Sequence, residues 1–150
     1  MEGKPSMVDI SGKKTVFREA TAVGVIKLKP ETVRRIKEGK VEKGNPLHVA
    51  STMATLAVKE TPKIIALCHP IPISNVDVDF SFPGEDKVQV KVTVRAEART
   101  GVEMEALTGV AVALLNLWDM VKRYEKDEAG QYPETAILSL KVERKVKLDE

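Results

Sequence analysis

A chain of 150 residues suits one domain and is long enough to bury a core. Its 43% apolar and 31% charged content is that of a soluble globular protein and excludes a disordered chain, while a net charge of +2 gives no argument for a nucleic-acid partner. The single cysteine, Cys68, allows no internal disulfide, the opening MEGKPSMVDISGKK lacks the apolar run of a signal peptide, and no stretch approaches the roughly 18 to 20 uninterrupted apolar residues of a membrane span. The expectation is a cytoplasmic protein with neither nucleic acid nor membrane as partner.

Residues 1–18 are polar and without periodicity, and read as a mobile N-terminal arm ahead of a single domain at 19–150. ATAVGVIKLK (20–29) is rich in Val and Ile and predicts a first strand. PETVRRIKEG (30–39) has proline at its start and glycine at its end, the asymmetry of a short helix. A second helix follows over 45–60, with Asn45 as cap, Pro46 as first helical residue and Leu47, Ala50, Ala54, Ala57 and Val58 at helical spacing. Val76, Val78, Phe80 and Phe82 alternate with polar residues, as do Val88, Val90, Val92 and Val94, and the turn sequence PGEDK joins the two runs into an antiparallel hairpin. A long helix over about 103–125 is apolar around most of its circumference and should lie centrally. AGQYP then breaks the chain before a last strand at Ala136, Leu138, Leu140 and Val142; KVERKVK reads as a charged edge strand running into a solvated tail. The fold class is α+β: a ferredoxin-like (βαββαβ) antiparallel sheet packed by helices, with an extra helix in the first crossover.

Charge gathers at the two ends of the long helix. Glu103 and Glu105 flank Met104 in its first turn, where the helix dipole favours carboxylates. Asp119 and Lys122, three residues apart, share a face near its last turn and could form an ordinary intrahelical ion pair. Glu105 and Asp119 are about 21 Å apart along the axis, too far for one small site on one helix. Two copies brought together could supply both ends to one site. His69 sits in a loop stiffened by Pro70 and Pro72 just ahead of a strand. Cys68 and His69, with His48 as the only other histidine, lack the spacing of a zinc site, so no metal is expected there and Cys68 reads as a small packing residue. Lys43 precedes the Asn45 cap, where exposed amides of a helix N-terminus favour an anion.

These segments, in this order, resemble the molybdenum cofactor biosynthesis protein C family, the cyclic pyranopterin monophosphate synthases. The resemblance is carried by MVDISGK (7–13), FREA (17–20), KGNPLHVA (43–50), LCHPIPISNVDVDF (67–80), RTGVEMEALTGVAVALLNLWDMVK (99–122) and AILSLKV (136–142), nearly the whole chain. It implies an enzyme without a resident cofactor, with magnesium as a possible companion of the triphosphate or pyrophosphate. The substrate it implies is 3′,8-cyclo-7,8-dihydroguanosine 5′-triphosphate, supplied by a radical SAM GTP cyclase as pathway partner. That nucleotide is rearranged to cyclic pyranopterin monophosphate with loss of pyrophosphate. It also implies a ferredoxin-like fold and a homohexamer, a trimer of dimers with sites at subunit interfaces.

Carried over by motif, the site residues are Lys43, His69, Glu103, Glu105, Asp119 and Lys122, with Met104, Leu67 and Cys68 also at the substrate. Lys13 and Arg18 on the arm correspond to basic residues that approach the substrate as the arm orders. The roles expected are an acid/base pair in Lys122 with Asp119, phosphate or proton transfer at Lys43 and His69, and recognition of the guanine-derived ring by the glutamates. Lysines crowded by other cations can be partly deprotonated near neutral pH. Two positions depart from the family pattern: Asn45 stands where aspartate is common, and VERKVKLDE replaces a Gly-rich, lysine-containing end. Two rival classes remain. An RNA-recognition module needs stacking aromatics on its central strands, and KVQVKVTVRA has none. A ligand-binding oligomer without chemistry would bind the cyclic nucleotide and leave it unchanged.

Overall fold

The computed structural model describes residues 3–149. Its elements in chain order are β1 (Val16–Lys27), α1 (Pro30–Glu38), α2 (Pro46–Ile64), β2 (Asn75–Gly84), β3 (Lys87–Ala98), α3 (Glu103–Glu125) and β4 (Ala136–Leu148). The four strands form one sheet in the order β2-β3-β1-β4, and every neighbouring pair is antiparallel. This is the ferredoxin-like arrangement, with α1 and α2 together filling the first crossover.

Strand alternation decides which face is covered. Val88, Val90, Val92 and Val94 are fully buried toward the helices, with Ala20, Ala22 and Ile26 of β1 beside them. Thr21, Thr93, Lys91, Arg95 and Glu19 line the opposite face, where Arg95 pairs with Glu19 at 2.7 Å and Asp77 at 2.8 Å. α3 lies against the covered face with α2 packed on it. Two glycines allow that approach: a Cβ at Gly24 would stand 2.7 Å from Val110, and one at Gly109 would stand 2.9 Å from Val58. α3 is long and apolar enough to cross a membrane, yet Ala106, Val110, Ala113, Leu114 and Leu117 are fully buried inside the protein.

Two boundaries differ from expectation, at β1 and α2. β1 begins at Val16, so the arm is shorter than residues 1–18 and Arg18 belongs to the sheet, paired in register with Ala96. α2 continues through Pro62 to Ile64, because a proline in the last turn forfeits only one intrahelical hydrogen bond. β4, expected as a charged edge strand through KVERKVK, is the edge strand of the sheet and runs one residue further, to Leu148 opposite Phe17. Along β4, Leu138, Leu140 and Val142 are 51, 45 and 37% exposed, and Leu115 on α3 is 57% exposed. Leu140 and Val142 pair in register with Gly24 and Ala22, which places them on the helix side of the sheet.

Candidate active site

The head of α3 forms one wall of a cavity of about 520 Å³. Glu103, Met104 and Glu105 enter it from the helix, Leu67, Cys68 and His69 from the loop after α2, and Val8, Ile10 and Lys13 from the arm. Val102 caps α3 without a side-chain hydrogen bond, so the first turn relies on its own carboxylates and the dipole. Glu103 also meets Lys145 of β4 at 3.3 Å.

Glu105 is the unusual member, because its side chain is only 1% exposed. The Cys68 thiol donates to its Oε2 at 3.4 Å, and among the described residues its Oε1 has no partner. Burial raises the Glu105 carboxyl above the ordinary carboxylate range, against a smaller lowering by hydrogen bonds. Desolvation first and the neighbouring Glu105 second push the Cys68 thiol up to about 11. Cys68 is therefore a hydrogen-bond donor here, not a thiolate. A buried acceptor with a free lone pair next to an open cavity is ready for a donor brought by a ligand. His69 sits opposite the arm, its Nε2 2.8 Å from the Val8 carbonyl. That contact assigns the Nε2 proton to the ring and leaves Nδ1 as its second position. Asp9, on the same arm, is held low by the Ser11 amide.

The other end of α3 carries a second cluster. Lys122 Nζ lies 3.0 Å from Asp119 Oδ1, while Lys43 Nζ donates to the Asp119 carbonyl at 3.0 Å and to its Oδ2 at 3.4 Å. One carboxylate thus bridges two ammonium groups. Hydrogen bonding from Lys122, then from Lys43, holds Asp119 low, and Asp119 in turn raises Lys122. Partial deprotonation of Lys122, expected from crowding among cations, is the reverse of what this geometry produces within the protomer. The carboxylate between the lysines decides the sign, and Lys122 keeps its charged form.

The structure therefore gathers Lys13, Leu67, Cys68, His69, Glu103, Met104 and Glu105 at one end of α3. Lys43, Asp119 and Lys122 gather at the other. Arg18 joins neither group: it is 7% exposed, and its guanidinium donates to the carbonyls of Ala98 and Arg99 at 3.4 and 3.3 Å, bracing the link from β3 to α3. Among the described residues no three His, Cys, Asp or Glu side chains gather to hold a metal ion. Sequence reasoning passed over the Val8 carbonyl, since a backbone oxygen carries no residue signal.

Fold and site together define a ferredoxin-like α+β protein with carboxylates and a histidine at one end of its central helix and paired lysines at the other. The chain belongs to the MoaC family, whose model matches residues 7–147. It is 62% identical over 141 residues to a protein of Pyrococcus horikoshii named probable cyclic pyranopterin monophosphate synthase, covering 94% of this chain and 88% of that protein. A Methanococcoides burtonii protein of the same name is 60% identical over 141 residues, with the same coverage of each chain. A Methanothermobacter thermautotrophicus relative, 54% identical over 143 residues, 95% of this chain and 89% of that one, is named a probable cyclic pyranopterin monophosphate synthase accessory protein.

Proposed function

We propose that this chain is a cyclic pyranopterin monophosphate synthase of molybdenum cofactor biosynthesis. It would act as a lyase on 3′,8-cyclo-7,8-dihydroguanosine 5′-triphosphate, made upstream by a radical SAM GTP cyclase. The observation that carries the reading is the cavity at the head of α3, where Leu67–His69 and Glu103–Glu105 converge from two distant segments. The cavity is wide enough for a bicyclic ring, and the Glu105 oxygen without a partner suits an N–H donor on that ring. His69 beside it serves proton transfer at the rearranging ring. Lys43, Lys122 and Lys13 supply the cations a triphosphate needs, with magnesium as its companion in solution. Closure of the cyclic phosphate forms a bond from a ribose hydroxyl to the α-phosphorus and breaks the bond to pyrophosphate. Lys122, kept protonated by Asp119, neutralises the departing charge or returns a proton.

The two ends of α3 serve one substrate when a second subunit contributes the lysine end. The apolar face of Leu115, Leu140 and Val142 supports such assembly into a cytoplasmic homohexamer, a trimer of dimers. The test is incubation of the purified protein with the cyclic nucleotide, following pterin product and pyrophosphate together. Equal release of both is expected. Tight binding with no turnover would leave the accessory role that the Methanothermobacter relative's name describes.

A further inference from the structure

Lys43 stands in a tight turn between α1 and α2, and a lysine there has no intrinsic reason to point at Asp119. The Gly44 amide donates to the Val41 carbonyl at 3.1 Å, closing a turn with Glu42 and Lys43 at its centre; Gly44 takes a φ of 122°, where a side chain would be strained. Val41 is 8% exposed and anchors the turn in the core on one side. On the other side, the Glu42 amide donates to the Tyr124 hydroxyl oxygen at 2.9 Å. The Arg123 guanidinium also meets the Glu42 carboxylate, but both groups are at least half exposed, so salt screens that pair. The neutral amide-to-phenol bond is not weakened in that way. The ring is steadied in turn by Arg35, whose guanidinium lies 4.5 Å from its centroid and donates to the Lys40 carbonyl at 3.4 Å. Asp119, Arg123 and Tyr124 all belong to the last two turns of α3, so a single rigid element presents both the carboxylate and the clamp.

We infer that Tyr124 is a positioning residue for Lys43: its hydroxyl, by holding the Glu42 amide, fixes the turn that delivers the Lys43 ammonium to Asp119. The consequence for turnover rests on the function proposed above; the clamp itself does not. Tyr124→Phe removes one oxygen and leaves the ring beneath Arg35.

Two measurements on the full-length protein decide the matter. Competitive acetylation of lysines, read by mass spectrometry, should show Lys43 reacting about 3- to 10-fold faster in Tyr124→Phe, relative to the exposed Lys59 on α2. An unchanged ratio would overturn the clamp. Turnover of the cyclic nucleotide should fall by a similar factor in Tyr124→Phe, and the loss should vanish when the substitution is made in a Lys43→Met background. The same fold-loss in both backgrounds would mean a general structural effect and would also overturn the proposal. If the parent protein leaves the cyclic nucleotide unchanged, the proposed function fails, while the acetylation ratio still decides whether Tyr124 positions Lys43.

Discussion

At Asp119 a single carboxylate sets the protonation of Lys122. Lys122 is raised chiefly by its hydrogen bond to Asp119, so it stays an ammonium through neutral pH and loses its proton only as pH climbs past the ordinary lysine range. If Lys122 acts as an acid, the alkaline limb of the rate profile reports that loss. Asp119→Asn keeps the shape and removes the charge, and should therefore move the alkaline limb to lower pH as well as reducing turnover. A limb that stays in place would assign it to another group. Lys122→Arg should not restore activity lost in Lys122→Ala, because a guanidinium keeps its proton at any working pH. Glu105 is raised as well, but by burial, which favours its neutral form. Its folded pKa is raised by burial, so its contribution to stability is complete below the ordinary value of 4.5 and is lost as pH rises through the folded value. Glu105→Gln abolishes that titration while keeping an acceptor for the Cys68 thiol. The variant should be more stable than the parent at pH 7 by urea titration, and the difference should disappear as pH falls below 4.5. A variant that is less stable at both pH values would show that the buried carboxylate is no burden.

The elements meet at α3, and one side chain there ties three of them together. Glu125, fully buried in the last turn, accepts from the Lys29 amide at 3.1 Å, from the Thr32 hydroxyl, and from the Thr135 hydroxyl at 2.7 Å. It thereby satisfies donors at the start of α1 and just ahead of β4, in the same part of the molecule as the Asp119 cluster. Glu125→Ala would leave those donors buried and unpaired, at about 1–3 kcal/mol each, and should lower unfolding stability by about 3 kcal/mol or more. Chemical denaturation monitored by circular dichroism measures this directly; a loss under about 1 kcal/mol would mean water replaces the carboxylate. None of this was legible in the sequence, where Glu125 sits in YEKDE and reads as part of a solvated helix end. The hairpin, α1 and α3 were legible, because strict alternation, terminal proline and glycine, and a long apolar run each have one physical meaning. The start of β1 was not. Val16 and Phe17 are drawn into β1 by pairing with Ala98 and Leu148, a signal the strand's own sequence does not carry. The two charged ends of one helix were legible, while the arm wall entered only at Lys13 through the family resemblance: Val8 and Ile10 come from a segment with no periodicity.

For the molecule as a whole, the separation of the two clusters is the fact that assembly must answer. Glu105 and Asp119 lie about 21 Å apart along one continuous helix, so they cannot meet within one chain. A neighbouring subunit can, if its lysine end reaches the first subunit's cavity; in a two-fold pair each chain then lends one half to each of two sites. This makes a demand that no intrachain site makes. His69→Ala spoils only the cavity end, and Lys122→Ala only the lysine end. Each variant alone has no intact site. When the two are unfolded together and refolded as an equal mixture, each site draws its two ends from different chains at random, and about a quarter of the sites become intact. Turnover of the mixture should rise to about a quarter of the parent value, while each variant refolded separately stays inactive. Mixing the folded variants without refolding should give no such gain if the oligomer does not exchange subunits. An inactive mixture whose mixed assembly is verified by mass spectrometry would place both ends of each site on one chain, and the shared-site reading would then have to be abandoned.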